Sequence, residues 1–120
     1  MKAGVDMEEL SRFSELIQKP RFVSRVLTDN EYQVFNQLNT KRKIEYLAGR
    51  WVAKEAFSKA YGTGIGKLSF QDIEILNRAN GAPYFSKLPK LSGHAEISLS
   101  HTDHNVIAFV IIEGEVTVND

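Results

Sequence analysis

Apolar residues in the first half of the chain recur at helical spacing, whereas those in the second half alternate or run together as in strands. Leu10, Phe13, Leu16 and Ile17 predict a helix following Asp6, with Asp6 and Glu9 as an acidic capping pair. Pro20 ends that helix or begins a short new one. Thr28-Asp29 opens a second helix, with Tyr32, Phe35 and Leu38 as its apolar face. Thr40 is a good N-cap for a third, running from Lys41 to about Tyr61. Gly62, Gly64 and Gly66 stop it.

Strand patterns follow. Phe70 to Leu76 alternates in part, and Asn80-Gly81 is a hairpin turn signal with Pro83-Tyr84-Phe85 returning. Glu96 to Ser100 alternates cleanly. Val106 to Ile112 is continuously apolar, the pattern of a strand buried on both faces, and His101 to Asn105 links these last two segments. Helices first and hairpin-linked strands afterwards predict an α+β fold with an antiparallel sheet and a long core helix.

The composition narrows the function classes. A chain of 120 residues with 42% hydrophobic and 25% charged residues can bury a core, and we read 1–120 as a single domain. Fifteen Lys and Arg balance fifteen Asp and Glu, which argues against a nucleic-acid binder. The lack of Cys excludes a disulfide scaffold, thiolate-held zinc, iron–sulfur chemistry and thiol catalysis. No apolar run reaches membrane-spanning length, and the N-terminus turns acidic at Asp6 before a signal-peptide core forms. The expected location is the cytoplasm.

The long helix carries the chemistry. On a helical wheel Glu55 falls in the middle of the apolar stripe formed by Ile44, Leu47, Ala48 and Trp51, with Lys59 one turn beyond. An acid on an apolar face needs a partner, because an unpaired buried charge is costly. Two readings are open: an ordinary i,i+4 ion pair, or a carboxylate for a hard cation beside a lysine for a phosphate. Lys41-Arg42-Lys43 occupies the first turn, where the helix dipole already provides positive charge. That arrangement suits a docked anion, and equally a solvated basic turn.

Other signals are weaker. Gly62-Thr63-Gly64-Ile65-Gly66-Lys67 is not a P-loop: that motif needs Gly at the position of Tyr61, Ser or Thr at that of Leu68, and a helix after it. It reads as a helix C-cap and turn. His101 and His104 lack a third nitrogen or sulfur ligand nearby for zinc, but Ser100-His101-Thr102 offers donors to a phosphate. Arg12, Arg21 and Arg25 are either scattered surface charges or one basic face for an acidic partner.

Taken together, several segments resemble one family. Gly4-Val5-Asp6 with Arg12, and Trp51-Val52-Ala53-Lys54-Glu55-Ala56-Phe57-Ser58-Lys59-Ala60, are similar to the two principal motifs of the holo-[acyl-carrier-protein] synthases. These are small 4′-phosphopantetheinyl transferases of bacterial fatty-acid synthesis. Gly62-Thr63-Gly64, Phe70-Gln71-Asp72-Ile73, Asn80-Gly81-Ala82-Pro83 and Ser98-Leu99-Ser100-His101-Thr102 match in order and spacing, so the resemblance covers almost the whole chain. The family usually opens on a longer strand reading Gly-Ile-Gly-x-Asp; here Lys2-Ala3-Gly4-Val5-Asp6 lacks the first glycine.

The resemblance implies transfer of the phosphopantetheine arm of coenzyme A to a serine of apo acyl carrier protein, releasing 3′,5′-ADP. It implies Asp6, Glu55 and Lys59 as catalytic, with Asp6 and Glu55 holding Mg²⁺ and Lys59 on the pyrophosphate. It implies Lys41, Arg42, Arg50, Gly62, His101 and Thr102 at the coenzyme A site, and Arg12, Arg21, Phe22 and Arg25 on the carrier protein. It also implies a homotrimer with sites between subunits, Asp6 from one and Glu55 from its neighbour. The base that takes the serine proton is left open between Glu55 and a metal-bound water. Two other classes are in view: a coenzyme A or nucleotide-binding module without transfer, and a structural trimer in which Glu55 and Lys59 merely pair.

Overall fold

In the computed structural model, which describes residues 1–115, the chain begins with a strand that runs through Asp6 as far as Glu9. β1 (Lys2–Glu9) is followed by a 3₁₀ turn (Leu10–Arg12) and three short helices, α1 (Phe13–Leu16), α2 (Pro20–Val26) and α3 (Asp29–Asn36). The long helix α4 (Thr40–Tyr61) comes next. After a 3₁₀ turn (Phe70–Asp72) the chain forms β2 (Glu74–Asn77), β3 (Pro83–Lys87), β4 (His94–His101) and β5 (Asn105–Glu113). Two antiparallel sheets result, β1-β5-β4 and the hairpin β2-β3.

β1 corrects the expected capping role of Asp6. Its alternation runs against the usual sense, with Gly4, Asp6 and Glu8 turned toward α4 and Ala3, Val5 and Met7 turned outward. No single-strand propensity predicts that. The strand is held by its ladder to β5, which pairs Gly4 with Val110 and Asp6 with Ala108. Gly4 is a steric requirement. A Cβ there would overlap the Ala56 carbonyl oxygen and lie 2.8 Å from the Ala60 amide nitrogen, so β1 rests directly on the backbone of α4.

α4 starts one residue earlier than its sequence suggests. Asn39 is the N-cap, its side chain accepting from the Arg42 amide at 2.9 Å. Gly62 ends the helix in a left-handed conformation (φ 97°), its amide bonded to the Ser58 carbonyl at 3.0 Å. Pro20 takes the second of its two options and opens α2 at the first turn. Thr28 and Glu31 cap α3 reciprocally. Tyr32, expected on the apolar face of α3, is exposed, whereas Phe35 is buried. Phe70 to Asp72 is a capped 3₁₀ turn, so β2 is shorter than the alternation indicated.

β5 is buried on one face only. Val106, Ala108, Val110 and Ile112 pack beneath α4, but Ile107 and Phe109 are 39% and 45% exposed. Val5 and Met7 of β1 join them on the outer face of the sheet. The continuous apolar run therefore has two different destinations.

A buried polar knot fastens the helices to the β2-β3 hairpin. Lys54 of α4 and Glu31 of α3 are fully buried and paired at 2.7 Å. Glu31 also accepts from the Thr28 and Ile75 amides, both at 2.8 Å. Thr28 donates to Glu74, which also accepts from Ser86. Each charge is satisfied by several hydrogen bonds, the condition under which a buried pair is tolerated. No helix among the described residues is long and apolar enough to cross a membrane.

Candidate active site

β1 and α4 together create a carboxylate pair. Asp6 projects from the inner face of β1, two residues beyond the glycine that seats the strand on the helix. Its Oδ1 lies 3.0 Å from Lys59 Nζ, which also donates to the Val5 carbonyl at 3.1 Å. Glu55, one helical turn before Lys59, faces the same place. Its proton affinity is raised, first by burial and then by the charge of Asp6, with Lys59 and Arg12 opposing. Glu8 contributes further repulsion but is itself paired with Arg12. Asp6 and Glu55 thus meet within one chain, which corrects the expectation that they come from different subunits.

The sign of the Glu55 shift gives a prediction. A carboxyl that holds its proton more tightly in the folded chain adds stability below its unfolded value, near 4.5, and loses it as pH rises through the folded value. Melting curves of the parent and of Glu55→Gln, taken from pH 4 to pH 8, should therefore separate as pH rises, with the glutamine variant gaining (pH limits about those of ordinary carboxyl titration). Parallel curves would mean that the folded chain does not raise the proton affinity of Glu55.

The donor set fits a hard divalent cation. Two adjacent carboxylates, one with its proton affinity raised by burial and by the other's charge, are oxygen ligands of the kind Mg²⁺ takes from protein, alongside phosphate oxygens and water. No three His, Cys, Asp or Glu residues among those described form an all-protein cage.

The remaining coenzyme A candidates gather elsewhere. Arg42, Arg50 and His101 line one cavity of about 580 Å³, bounded also by Glu45, Tyr46 and Pro83. Arg50 is 4% exposed and donates to the Ile75 carbonyl at 3.2 Å and to Asn77, with its guanidinium over the Tyr46 ring. Part of its bonding capacity therefore goes to holding β2. Burial lowers its proton affinity for the same reason that it raises the Tyr46 phenol to about 12. His101 ends β4, exposed, with Nδ1 3.9 Å from Glu45 Oε2. The Thr102 hydroxyl accepts from the His104 and Asn105 amides and so shapes the β4–β5 turn. Lys41 lies on a neighbouring cavity with Ser11, Glu45 and His104. Gly62 is placed at the opposite end of α4, as its C-cap.

The basic residues of the N-terminal helices are organised by aromatic rings. Trp51 is stacked between Phe22 at 5.5 Å and Phe70 at 4.9 Å. Arg12 lies 5.2 Å from the Trp51 ring, and Arg25 lies 5.9 Å from both Phe22 and Phe70. Arg21 lines the adjoining groove beside α2. Arg12, Phe22 and Arg25 therefore form one cationic, aromatic face, with Trp51 as the member that sequence reasoning missed. Lys54 and Glu31 were also missed. The Thr28-x-x-Glu31 capping signature was legible, but nothing marked Glu31 as the partner of a lysine 23 residues away.

Comparison with known proteins identifies the family. A family model described as the 4′-phosphopantetheinyl transferase superfamily matches residues 2–110. A holo-[acyl-carrier-protein] synthase of Streptococcus sanguinis is 57% identical over 111 residues, covering 92% of each chain. That of Enterococcus faecalis is 50% identical, covering 93% of this chain and 96% of the relative. Among solved structures, the Bacillus anthracis holo-(acyl-carrier-protein) synthase in complex with CoA (3′,5′-ADP) superposes with a TM-score of 0.86 at 39% identity, covering 95% of this chain and 96% of that one. The Neisseria meningitidis enzyme gives 0.83 at 36%, covering 93% and 97%. With nearly its whole length matched in sequence and in backbone, the chain belongs to the 4′-phosphopantetheinyl transferase superfamily, and within it to the holo-[acyl-carrier-protein] synthases.

Proposed function

We propose that this enzyme transfers 4′-phosphopantetheine from coenzyme A to a serine of apo acyl carrier protein in a Mg²⁺-dependent reaction of cytoplasmic fatty-acid biosynthesis. The observation that carries the reading is the meeting of Asp6, Glu55 and Lys59 where β1 rests on α4. The serine oxygen attacks the β-phosphorus of coenzyme A. The phosphoanhydride bond to the nucleotide breaks, and 3′,5′-ADP leaves with the bonding electron pair. Asp6 and Glu55 would hold Mg²⁺, which when bound supplies charge neutralisation at the pyrophosphate. Lys59, tied to Asp6 and the Val5 carbonyl, orients the pyrophosphate and offsets charge on the departing oxygen. The serine proton goes to Glu55 or to a water at the site.

The nucleotide end falls to Lys41, Arg42, Arg50, His101 and Thr102, with Gly62 beside the carboxylate end. Thirteen residues separate Arg42 from Glu55, about 20 Å along a helix. That span exceeds what one coenzyme A nucleotide bridges comfortably. It supports a homotrimer in which the carboxylate end of one subunit faces the basic end of its neighbour. The exposed apolar face of Val5, Met7, Ile107 and Phe109 supports the same assembly, because such patches mark interfaces. Arg12, Arg21, Phe22 and Arg25 take the acidic carrier protein.

Intact-mass spectrometry tests the reading. Apo acyl carrier protein incubated with coenzyme A, Mg²⁺ and this enzyme should gain one phosphopantetheine group, and EDTA should abolish the gain. Coenzyme A binding without any gain would favour the non-catalytic module. A gain indifferent to EDTA would remove the metal from the proposal.

A further inference from the structure

Helix α2 carries Arg21, Phe22 and Arg25, yet at seven residues it cannot hold its own shape in water. The carbonyls of Ser24, Arg25, Val26 and Leu27 at its C-terminal end have no partner within the helix. Two side chains from outside reach them. Gln71 Nε2 donates to Ser24 at 2.8 Å, Arg25 at 3.3 Å and Leu27 at 2.8 Å. Lys54 Nζ donates to Val26 at 2.6 Å, placing its charge at the negative end of the helix dipole.

Both side chains also fix the other half of the same face. Lys54 donates to the Phe70 carbonyl at 3.0 Å, and Gln71 follows Phe70 in the chain. The Phe70 ring and the Phe22 ring each lie 5.9 Å from the Arg25 guanidinium. The gap that Arg25 occupies is therefore set by Lys54 from beneath and by Gln71 from the rim. Lys54 precedes Glu55, but one helical step turns it by about 100°. It points to Glu31 and the end of α2, away from Asp6.

We propose that Lys54 and Gln71 are positioning residues for the carrier protein. The two lysines of the segment from Lys54 to Lys59 then serve different substrates, Lys59 coenzyme A and Lys54 the carrier. This rests on the reading of Arg12, Arg21, Phe22 and Arg25 as the carrier-binding face.

Steady-state kinetics of the full chain, with apo acyl carrier protein and coenzyme A varied in turn, tests it. Gln71 is exposed, so Gln71→Ala folds and leaves its carbonyl partners to water. Gln71→Ala and Lys54→Gln should each raise the KM for carrier by about five- to tenfold, with kcat and the KM for coenzyme A within about twofold of the parent. An unchanged carrier KM in Gln71→Ala, or equal rises for both substrates, would overturn the proposal. If Lys54→Gln fails to fold, Gln71→Ala decides alone. A parent that modifies no carrier protein at all is a different result: it sinks the transferase reading before any variant is made, and this proposal with it.

Discussion

Glu55→Gln should lower transfer to the carrier protein by roughly a hundred- to a thousandfold while leaving the chain folded. The substitution keeps the size of the side chain and removes one of the two negative charges in the site. Glu55 is only partly buried and takes no part in the polar knot around Lys54. Asp6 remains held by Lys59, so the geometry on the strand side survives. The loss should appear in kcat more than in the KM for carrier protein, because the basic face of α2 is untouched. A glutamine variant that turns over normally would return Glu55 and Lys59 to a structural ion pair. A variant with lost activity but greater stability at neutral pH would show the usual opposition between a charged site and a stable fold.

Gly4→Ala should be nearly as damaging, although position 4 carries no chemistry. The added methyl would overlap the Ala56 carbonyl oxygen and crowd the Ala60 amide, and backbone cannot rotate aside as a side chain can. β1 must therefore lift from α4. Overpacking of this kind costs about 1–3 kcal/mol. Asp6 moves with the strand, away from Glu55 and Lys59. A displacement near 1 Å at a reacting centre costs on the order of a hundredfold in rate. Thermal melting and turnover should fall together, unlike the Glu55→Gln result, in which activity falls alone. Full activity in Gly4→Ala would mean that Asp6 is not placed by the contact between strand and helix.

The charged positions of α4 were legible because a helix has one period. Glu55 on an apolar stripe with Lys59 one turn on was visible as an anomaly before any coordinates, and the structure places both beside Asp6. The Asn80-Gly81 turn was equally local: Gly81 takes φ 90°, and the hairpin β2-β3 closes around it. The helix caps at Asn39 and Gly62 fell within one residue of their expected positions.

β1 was not legible. Its inward residues are a glycine and two acids, and its outward residues are apolar, so its own pattern argues against the face it presents to α4. The partners that hold it, Val106 to Ile112, lie about a hundred residues away in the chain. Lys54 was hidden for a similar reason: a helical wheel shows where a lysine points but not which carboxylate waits there. Local spacing and turn chemistry, acting over a few residues, decided which segments become helix or hairpin and which charges on α4 are out of place. Which chain segments approach them, and hence that Asp6 joins Glu55, that Lys54 reaches Glu31, and that one face of β5 stays open, was decided by packing between distant elements, because those contacts have no period within any single segment.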